Sequence, residues 1–171
     1  MVLWITGLSG AGKTTIANAI HNLLKSSFLQ PIFIDGDAVR EIFDPQLGFD
    51  IASRNIQISR MQRLALFLSK QGFQVIVSAL YSSDELLAWN RSNLPGYYEV
   101  YVDTPMHVLE KRDTKGLYSK AKLGQIRDVV GVDIPWNPPK NPDLNVDSSG
   151  ASPSELALKI VNLIPWLKNT S

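Results

Sequence analysis

The sequence has no cysteine and only two histidines among its 171 residues. No disulfide and no thiolate metal site can form, and His21 and His107 have no partner at metal-ligand spacing. The chain also lacks an excess of either charge. Seventeen basic residues face sixteen acidic ones, a formal net charge of +1, so no global field draws it to nucleic acid or to an anionic membrane. Any phosphate it binds must be held by local groups. No apolar run approaches the roughly 18–20 residues of a bilayer span. Met1-Val2-Leu3-Trp4-Ile5-Thr6 has neither the basic region nor the small-residue cleavage site of a signal peptide. These absences point to the cytoplasm, with no nucleic-acid and no membrane partner. The length suits one domain over 1–171, and the 44% hydrophobic and 19% charged fractions are those of an ordinary globular chain.

Strand-like and helix-like segments alternate. Val2–Thr6 reads as a buried strand and is followed by a helix running to about Ser27. Ile32–Ile34 is a second strand, ending at Asp35-Gly36-Asp37. A long helix is expected over about Ile51–Gln71, with apolar residues at Ile58, Met61, Leu64, Ala65 and Leu68 and Gly72 as its stop. Further strands are expected over Phe73–Leu80, Tyr97–Val102 and Leu144–Asp147, and helices over Glu85–Asn93 and Pro105–Arg112. A last helix opens at Ser152-Pro153-Ser154-Glu155 with Ser152 as N-cap. Its stripe Leu156, Ile160, Leu163 and Leu167 reads as core, and a homodimer is left open. Asp113–Asp143, rich in Lys, Gly and Pro, is irregular and long enough to be a functional loop, a mobile lid over about 113–143. The alternation implies an α/β fold with a mainly parallel sheet covered on both faces, in three layers.

Gly7-Leu8-Ser9-Gly10-Ala11-Gly12-Lys13-Thr14 meets the pattern G-x-x-x-x-G-K-[ST] in full, after a strand and before a helix. This is a P-loop nucleoside-triphosphate site. Its glycines let the backbone wrap phosphates with inward N–H groups, and the helix start adds partial positive charge. Gly7, Ser9, Gly10, Ala11, Gly12, Lys13, Thr14 and Thr15 are thus the ATP-binding candidates. Lys13 reaches the β- and γ-phosphates and the Thr14 hydroxyl ligates Mg²⁺. A GTPase or a motor ATPase would share the loop, but no Asn-Lys-x-Asp segment reads guanine and the chain has no room for a second functional domain. A non-catalytic nucleotide-dependent binding module is the other class.

Asp35 stands at the carboxyl end of the second strand, where ligands gather in open α/β sheets, and suits Mg²⁺ or its waters. Asp37 is placed to accept the proton of an attacking hydroxyl; the plainer reading makes it the cap of a helix beginning near Ala38. Arg40 and Arg54 are natural partners for a second anion; singly, each also fits a surface ion pair.

Together these residues resemble the adenylyl-sulfate (APS) kinase family, which uses ATP to phosphorylate the 3′-hydroxyl of APS. The carriers are the P-loop through Thr15, Asp35-Gly36-Asp37-Ala38-Val39-Arg40, Leu47-Gly48-Phe49, Arg54, Val102-Asp103-Thr104-Pro105, Glu110-Lys111-Arg112-Asp113, Lys115-Gly116-Leu117-Tyr118 and Gly131-Val132-Asp133. The resemblance implies that Lys115, Gly116, Leu117, Tyr118 and Lys120 belong to a lid closing over both nucleotides. It implies that Lys115 supplies charge during transfer, that Arg112 lies against the ATP adenine, and that Phe49 stacks on the acceptor's base with Arg40 and Arg54 around its phosphate and sulfate. The acceptor partner is then a small-molecule nucleotide, and the cofactors are ATP and Mg²⁺.

The departures from the family pattern concentrate on the acceptor side. Ala38 stands where Asn is usual, Ser53-Arg54 where Asp-Arg is usual, and Gln57-Ile58-Ser59-Arg60 where Asn-Ile-Arg-Arg is usual. Leu80-Tyr81-Ser82-Ser83 replaces Phe-Ile-Ser-Pro, keeping Ser82, and Val129 replaces a second aromatic. Gln57, Ser82 and Val129 are therefore acceptor-side candidates, and Trp89 and Trp136 could replace the missing stacking surface or simply pack. Val130–Pro135 and Pro138–Asp143 resemble divergent members among capsule and surface-polysaccharide enzymes. The expected activity is APS phosphorylation; the alternative is a related nucleotide such as cytidine diphosphoramidate.

Overall fold

The computed structural model describes residues 1–26, 30–43, 47–113 and 115–164. Five strands, β1 (Val2–Thr6), β2 (Ile32–Asp35), β3 (Val75–Ala79), β4 (Tyr97–Asp103) and β5 (Leu144–Asp147), form one sheet in the order β2-β3-β1-β4-β5. Every pairing is parallel. β1 and β3 are buried along their whole length, as the near-continuous apolar runs of a sheet covered on both faces require. The helices α1 (Lys13–Ser26), α2 (Gly36–Phe43), α3 (Ile51–Lys70), α4 (Asp84–Asn93), α5 (Met106–Lys111), α6 (Leu117–Lys122) and α7 (Pro153–Leu163) flank it. The register pairs Thr6 with Ala79 and Tyr101, Asp35 with Ser78, and Asp103 with Asp147. Every strand therefore ends along one edge, and the residues that follow, Gly7, Gly36, Leu80, Thr104 and Ser148, line up there. No helix among the described residues is long and apolar enough to cross a membrane.

The element starts have chemical causes. The Asp50 carboxylate caps α3, accepting from the Ser53 N–H at 2.9 Å and its hydroxyl at 2.6 Å. Ser83 caps α4, and Ser152 with Glu155 forms the expected capping box on α7. Two expectations are corrected. α2 begins at Gly36, not near Ala38, and its cap is Asp35, whose carboxylate takes the Asp37 N–H at 3.0 Å. The segment 113–143 is not wholly irregular, because Asp113 caps α6 by accepting from the Leu117 and Ser119 N–H groups at 2.6 and 3.0 Å. On α7, Leu156 and Ile160 are buried but Leu163 is 42% exposed, so the expected stripe narrows. Leu167 and Ser27 lie outside the described residues.

One buried charge sits away from the carboxyl edge. Glu99, 2% exposed, pairs with Arg91 at 3.1 Å and accepts from the Tyr97 hydroxyl at 2.9 Å. Burial pushes its carboxyl up, while Tyr97 and Arg91 oppose the shift. Arg91 also reaches Asp143 at 3.2 Å and the Asn141 carbonyl at 3.1 Å, tying the proline-rich approach of β5 to β4. Arg91→Ala leaves this carboxylate without its cation and should cost about 2 kcal/mol, a melting shift of roughly 4–8 °C readable by calorimetry.

Candidate active site

The P-loop leaves β1 through Gly7, whose φ is +154° and whose missing Cβ would stand 2.6 Å from the Val102 carbonyl. Only glycine fits this crossing over β4. The Leu8 carbonyl then accepts from the Ala11 N–H at 3.2 Å and from the Lys13 ammonium at 2.8 Å, drawing the loop into a ring. Lys13 is 9% exposed, and burial brings its ammonium down to about 8 against the opposing pull of Asp37 and Asp35.

A cavity of about 750 Å³ opens above this ring. Its near wall is P-loop: Ser9, Gly10, Gly12, Lys13, Thr14 and Thr15. Asp35, Asp37, Arg40, Phe49, Arg54 and Gln57 form the facing wall, and Arg112, Asp113, Lys115, Leu117 and Tyr118 a third. The Thr14 hydroxyl donates to Asp35 at 2.9 Å, so two hard oxygen ligands meet beside the phosphate loop, a donor set that suits Mg²⁺. Among the described residues no cluster of three or more His, Asp or Glu could hold a metal. The two ligands thus fit an ion completed by phosphates and water rather than an all-protein cage.

Around Phe49, 56% exposed, the Arg40 and Arg54 guanidinium groups lie 4.6 and 5.7 Å from the ring centroid. Arg40 also donates to the Leu47 and Gly48 carbonyls, both at 2.8 Å, and so shapes the loop that carries Phe49. Burial, followed by the neighbouring charge of Arg40, lowers the Arg54 guanidinium; an anion between the two relieves that repulsion. Gln57 donates to the Gly36 carbonyl at 2.8 Å. Its Oε1 and the Nε of Arg54 are buried polar atoms with no partner among the described residues, which is uncommon for such groups.

Five candidate residues lie outside this cavity's lining, one of them Ala11, which lines a smaller neighbouring cavity. Gly7 and Gly116 shape backbone, Gly116 at φ +65° just before α6. Ser82 departs from the expectation: it is buried and its hydroxyl donates to the Asn137 carbonyl at 3.0 Å. Val129 also departs, packing into the core while its N–H donates to Asp133 at 2.6 Å. Neither Trp lines the cavity. Trp89 lies under Arg63 at 5.0 Å, and Trp136 packs beside Tyr101.

A second cavity of about 260 Å³ lies on the other side of the loop, between Gly12, Thr15 and Ala11 and the strip Ser148, Ala151 and Pro153, with Arg112 shared by both spaces. Arg112 is fixed there by Ser148, donating to its hydroxyl at 2.9 Å and its carbonyl at 2.6 Å. Sequence reasoning missed Ser148, and it gave Tyr118 a place in the lid without its contact to the phosphate loop. Ser148 follows β5 at the carboxyl edge, and that position was the available signal; Tyr118 stood inside a motif already noticed.

The buried ammonium predicts a pH dependence. A bound polyphosphate favours charged Lys13 and raises its titration point above the free value of about 8. Nucleotide affinity should then be level below pH 7 and weaken by up to about tenfold per unit above pH 8. Calorimetry at pH 8.5 in two buffers of different ionisation enthalpy should show proton uptake on binding.

An open parallel sheet, with a P-loop at the carboxyl end of its central strand and carboxylates and arginines facing it, defines a P-loop phosphotransferase. The family model for adenylylsulphate kinase matches residues 1–147, and the chain belongs to that family of kinases, which transfer phosphate to a hydroxyl group. It is 44% identical over 145 residues to an adenylyl-sulfate kinase from Deinococcus deserti, covering 85% of this chain and 80% of that one. It is 40% identical over 148 residues to a cytidine diphosphoramidate kinase from Campylobacter jejuni, covering 86% of each. The fold superposes with TM-score 0.88 and 35% identity, over 95% of both chains, on the Mycobacterium tuberculosis APS kinase solved with AMPPNP and APS. Against a bifunctional enzyme from Xylella fastidiosa, 38% identical, the chain spans only 26% of the relative's length.

Proposed function

We propose that the chain transfers the γ-phosphoryl group of ATP to the 3′-hydroxyl of adenylyl sulfate, giving the 3′-phosphorylated product PAPS. One observation carries this reading. A single cavity sets a phosphate loop against a wall of two arginines and an exposed Phe, with two aspartates between them. That is the layout for two nucleotides meeting at a transferred phosphoryl group.

In this reading Lys13 and the loop N–H groups hold the ATP phosphates, and the adenine lies in the smaller cavity against Arg112. Thr14 and Asp35 would hold Mg²⁺, which when bound neutralises charge on the β- and γ-phosphates. Asp37 accepts the proton of the attacking hydroxyl, and Lys13 and Lys115 stabilise charge on the phosphoryl group in flight. Phe49 stacks on the acceptor's base, Arg40 and Arg54 take its anionic groups, and Leu117 closes the wall beside it. The segment 113–143 acts as the lid that keeps water out. A cytoplasmic setting fits ATP as donor.

The unpartnered Gln57 Oε1 favours a second reading, phosphorylation of cytidine diphosphoramidate. A terminal amidate brings an N–H donor to that oxygen, whereas a sulfate brings only acceptors. The test is ADP formation from Mg-ATP offered adenylyl sulfate or cytidine diphosphoramidate in separate reactions. Stimulation by adenylyl sulfate supports the leading substrate. Stimulation by the cytidine compound alone replaces that substrate while keeping the reaction, and stimulation by neither makes the chain a nucleotide-dependent binding module.

A further inference from the structure

Tyr118 belongs to α6, a helix outside the sheet, yet it is 2% exposed. Its hydroxyl donates to the Ser9 carbonyl at 2.7 Å, across 109 residues of sequence. Burial, with the charges of Asp113 and Glu110 adding to it, pushes the phenol up to about 12, so it stays a donor at any working pH. Ser9 is part of the phosphate loop. Because the peptide that follows it is planar and trans, the Ser9 carbonyl and the Gly10 N–H point in opposite directions. Holding the carbonyl on Tyr118 therefore sets the direction of the Gly10 N–H. Gly10, at φ +78°, has no side chain of its own to restrain that peptide.

The other end of this contact is equally fixed. Asp113 caps α6 by accepting from Leu117 and Ser119, and Lys115, which lines the main cavity, lies between Asp113 and the helix. One hydroxyl thus joins the segment carrying Lys115 to a peptide of the phosphate loop.

We infer that Tyr118 is a positioning residue that couples the seating of α6 to the phosphate-binding shape of the P-loop by orienting the Gly10 N–H. The inference rests on the kinase reading above. Coupling of this kind is reciprocal: ATP in the loop stabilises seated α6, and seated α6 tightens the grip on ATP. Tyr118→Phe removes only the hydroxyl and frees the Ser9–Gly10 peptide to turn.

The experiment measures binding of a non-hydrolysable ATP analogue to wild type, Tyr118→Phe and Tyr101→Phe, well below their melting temperatures. Tyr101 donates to Asp103 at 3.1 Å outside the cavity lining and serves as the control. We expect Tyr118→Phe to bind about tenfold more weakly, the size of one hydrogen bond lost to a buried partner, with Tyr101→Phe unchanged. A Tyr118→Phe protein that melts at a lower temperature but binds the analogue as wild type does would show a purely structural role and overturn the inference alone. A wild-type protein that fails to bind the analogue would overturn the kinase reading as well. Amide exchange of residues 117–122 in the wild type decides the matter even if the variant does not fold: the analogue should slow exchange there by about tenfold, and unchanged exchange contradicts the coupling.

Discussion

Lys13→Ala should lower turnover by a thousandfold or more while leaving the fold intact. The ammonium is almost wholly enclosed and its burial is unfavourable, as its depressed titration point records, so truncation removes a desolvation penalty and the melting temperature should hold or rise. In the proposed mechanism its charge, by contrast, acts on the transferred phosphoryl group under a lid that keeps water out. Preorganised charges in such sites contribute about 4 kcal/mol or more to the barrier, which is roughly three decades of rate. The measurement is kcat beside a thermal melt. A variant with a near-normal rate would remove Lys13 from the mechanism, and one that has lost its fold would show a structural role instead.

Asp37→Asn should lower kcat by about a hundred- to a thousandfold, the usual contribution of a positioned general base, without weakening ATP binding. The direction of the second effect follows from charge. Asp37 lines the cavity within electrostatic reach of Lys13, so making it neutral removes a negative neighbour from the phosphates, and ATP should bind as well as before or slightly better. A fall in ATP affinity with kcat preserved would reassign Asp37 to nucleotide binding. Asp35→Asn is less informative, because Asp35 also caps α2 and accepts from Thr14; both roles change at once.

What the sequence made legible depended on how local each feature is. The P-loop could be read because strand, glycines, lysine and helix start are consecutive, and the parallel sheet because β1 and β3 are buried enough to be apolar throughout. The capping box on α7 is likewise contained in four residues. Asp35-Gly36-Asp37 was legible as a pair of carboxylates at the end of β2, and both line the cavity, but two aspartates one glycine apart are chemically equivalent on paper. Which one caps α2 depends on where β2 ends. α6 escaped because its cap, Asp113, acts across a left-handed glycine and the helix is too short to show a period. Ser82 and Val129 were placed on the acceptor side by resemblance alone. Their actual surroundings, Asn137 for Ser82 and the core with Asp133 for Val129, depend on how the segment before β5 folds back. The Ser9–Tyr118 bond joins two motifs that the sequence lists separately, and only the fold brings them together.

The asymmetry between the two halves of the cavity has a physical basis. Phosphate recognition is carried by backbone N–H groups and one lysine, so it follows from the shape of a loop and is stamped into a short pattern. In the proposed reading, acceptor recognition falls to side chains from α2, α3 and the loop at Phe49, where a change such as Asn to Gln moves a polar group by one methylene without disturbing the fold.

The central claim is phosphoryl transfer to a hydroxyl of adenylyl sulfate. Its most direct test incubates the protein with adenylyl sulfate and Mg-ATP carrying oxygen-18 on the γ-phosphoryl group, then locates the label by its isotope shift in phosphorus NMR. The account predicts one label per ADP formed, on the 3′-oxygen of the sulfated nucleotide. Label recovered only as inorganic phosphate, or at any other position, would contradict it.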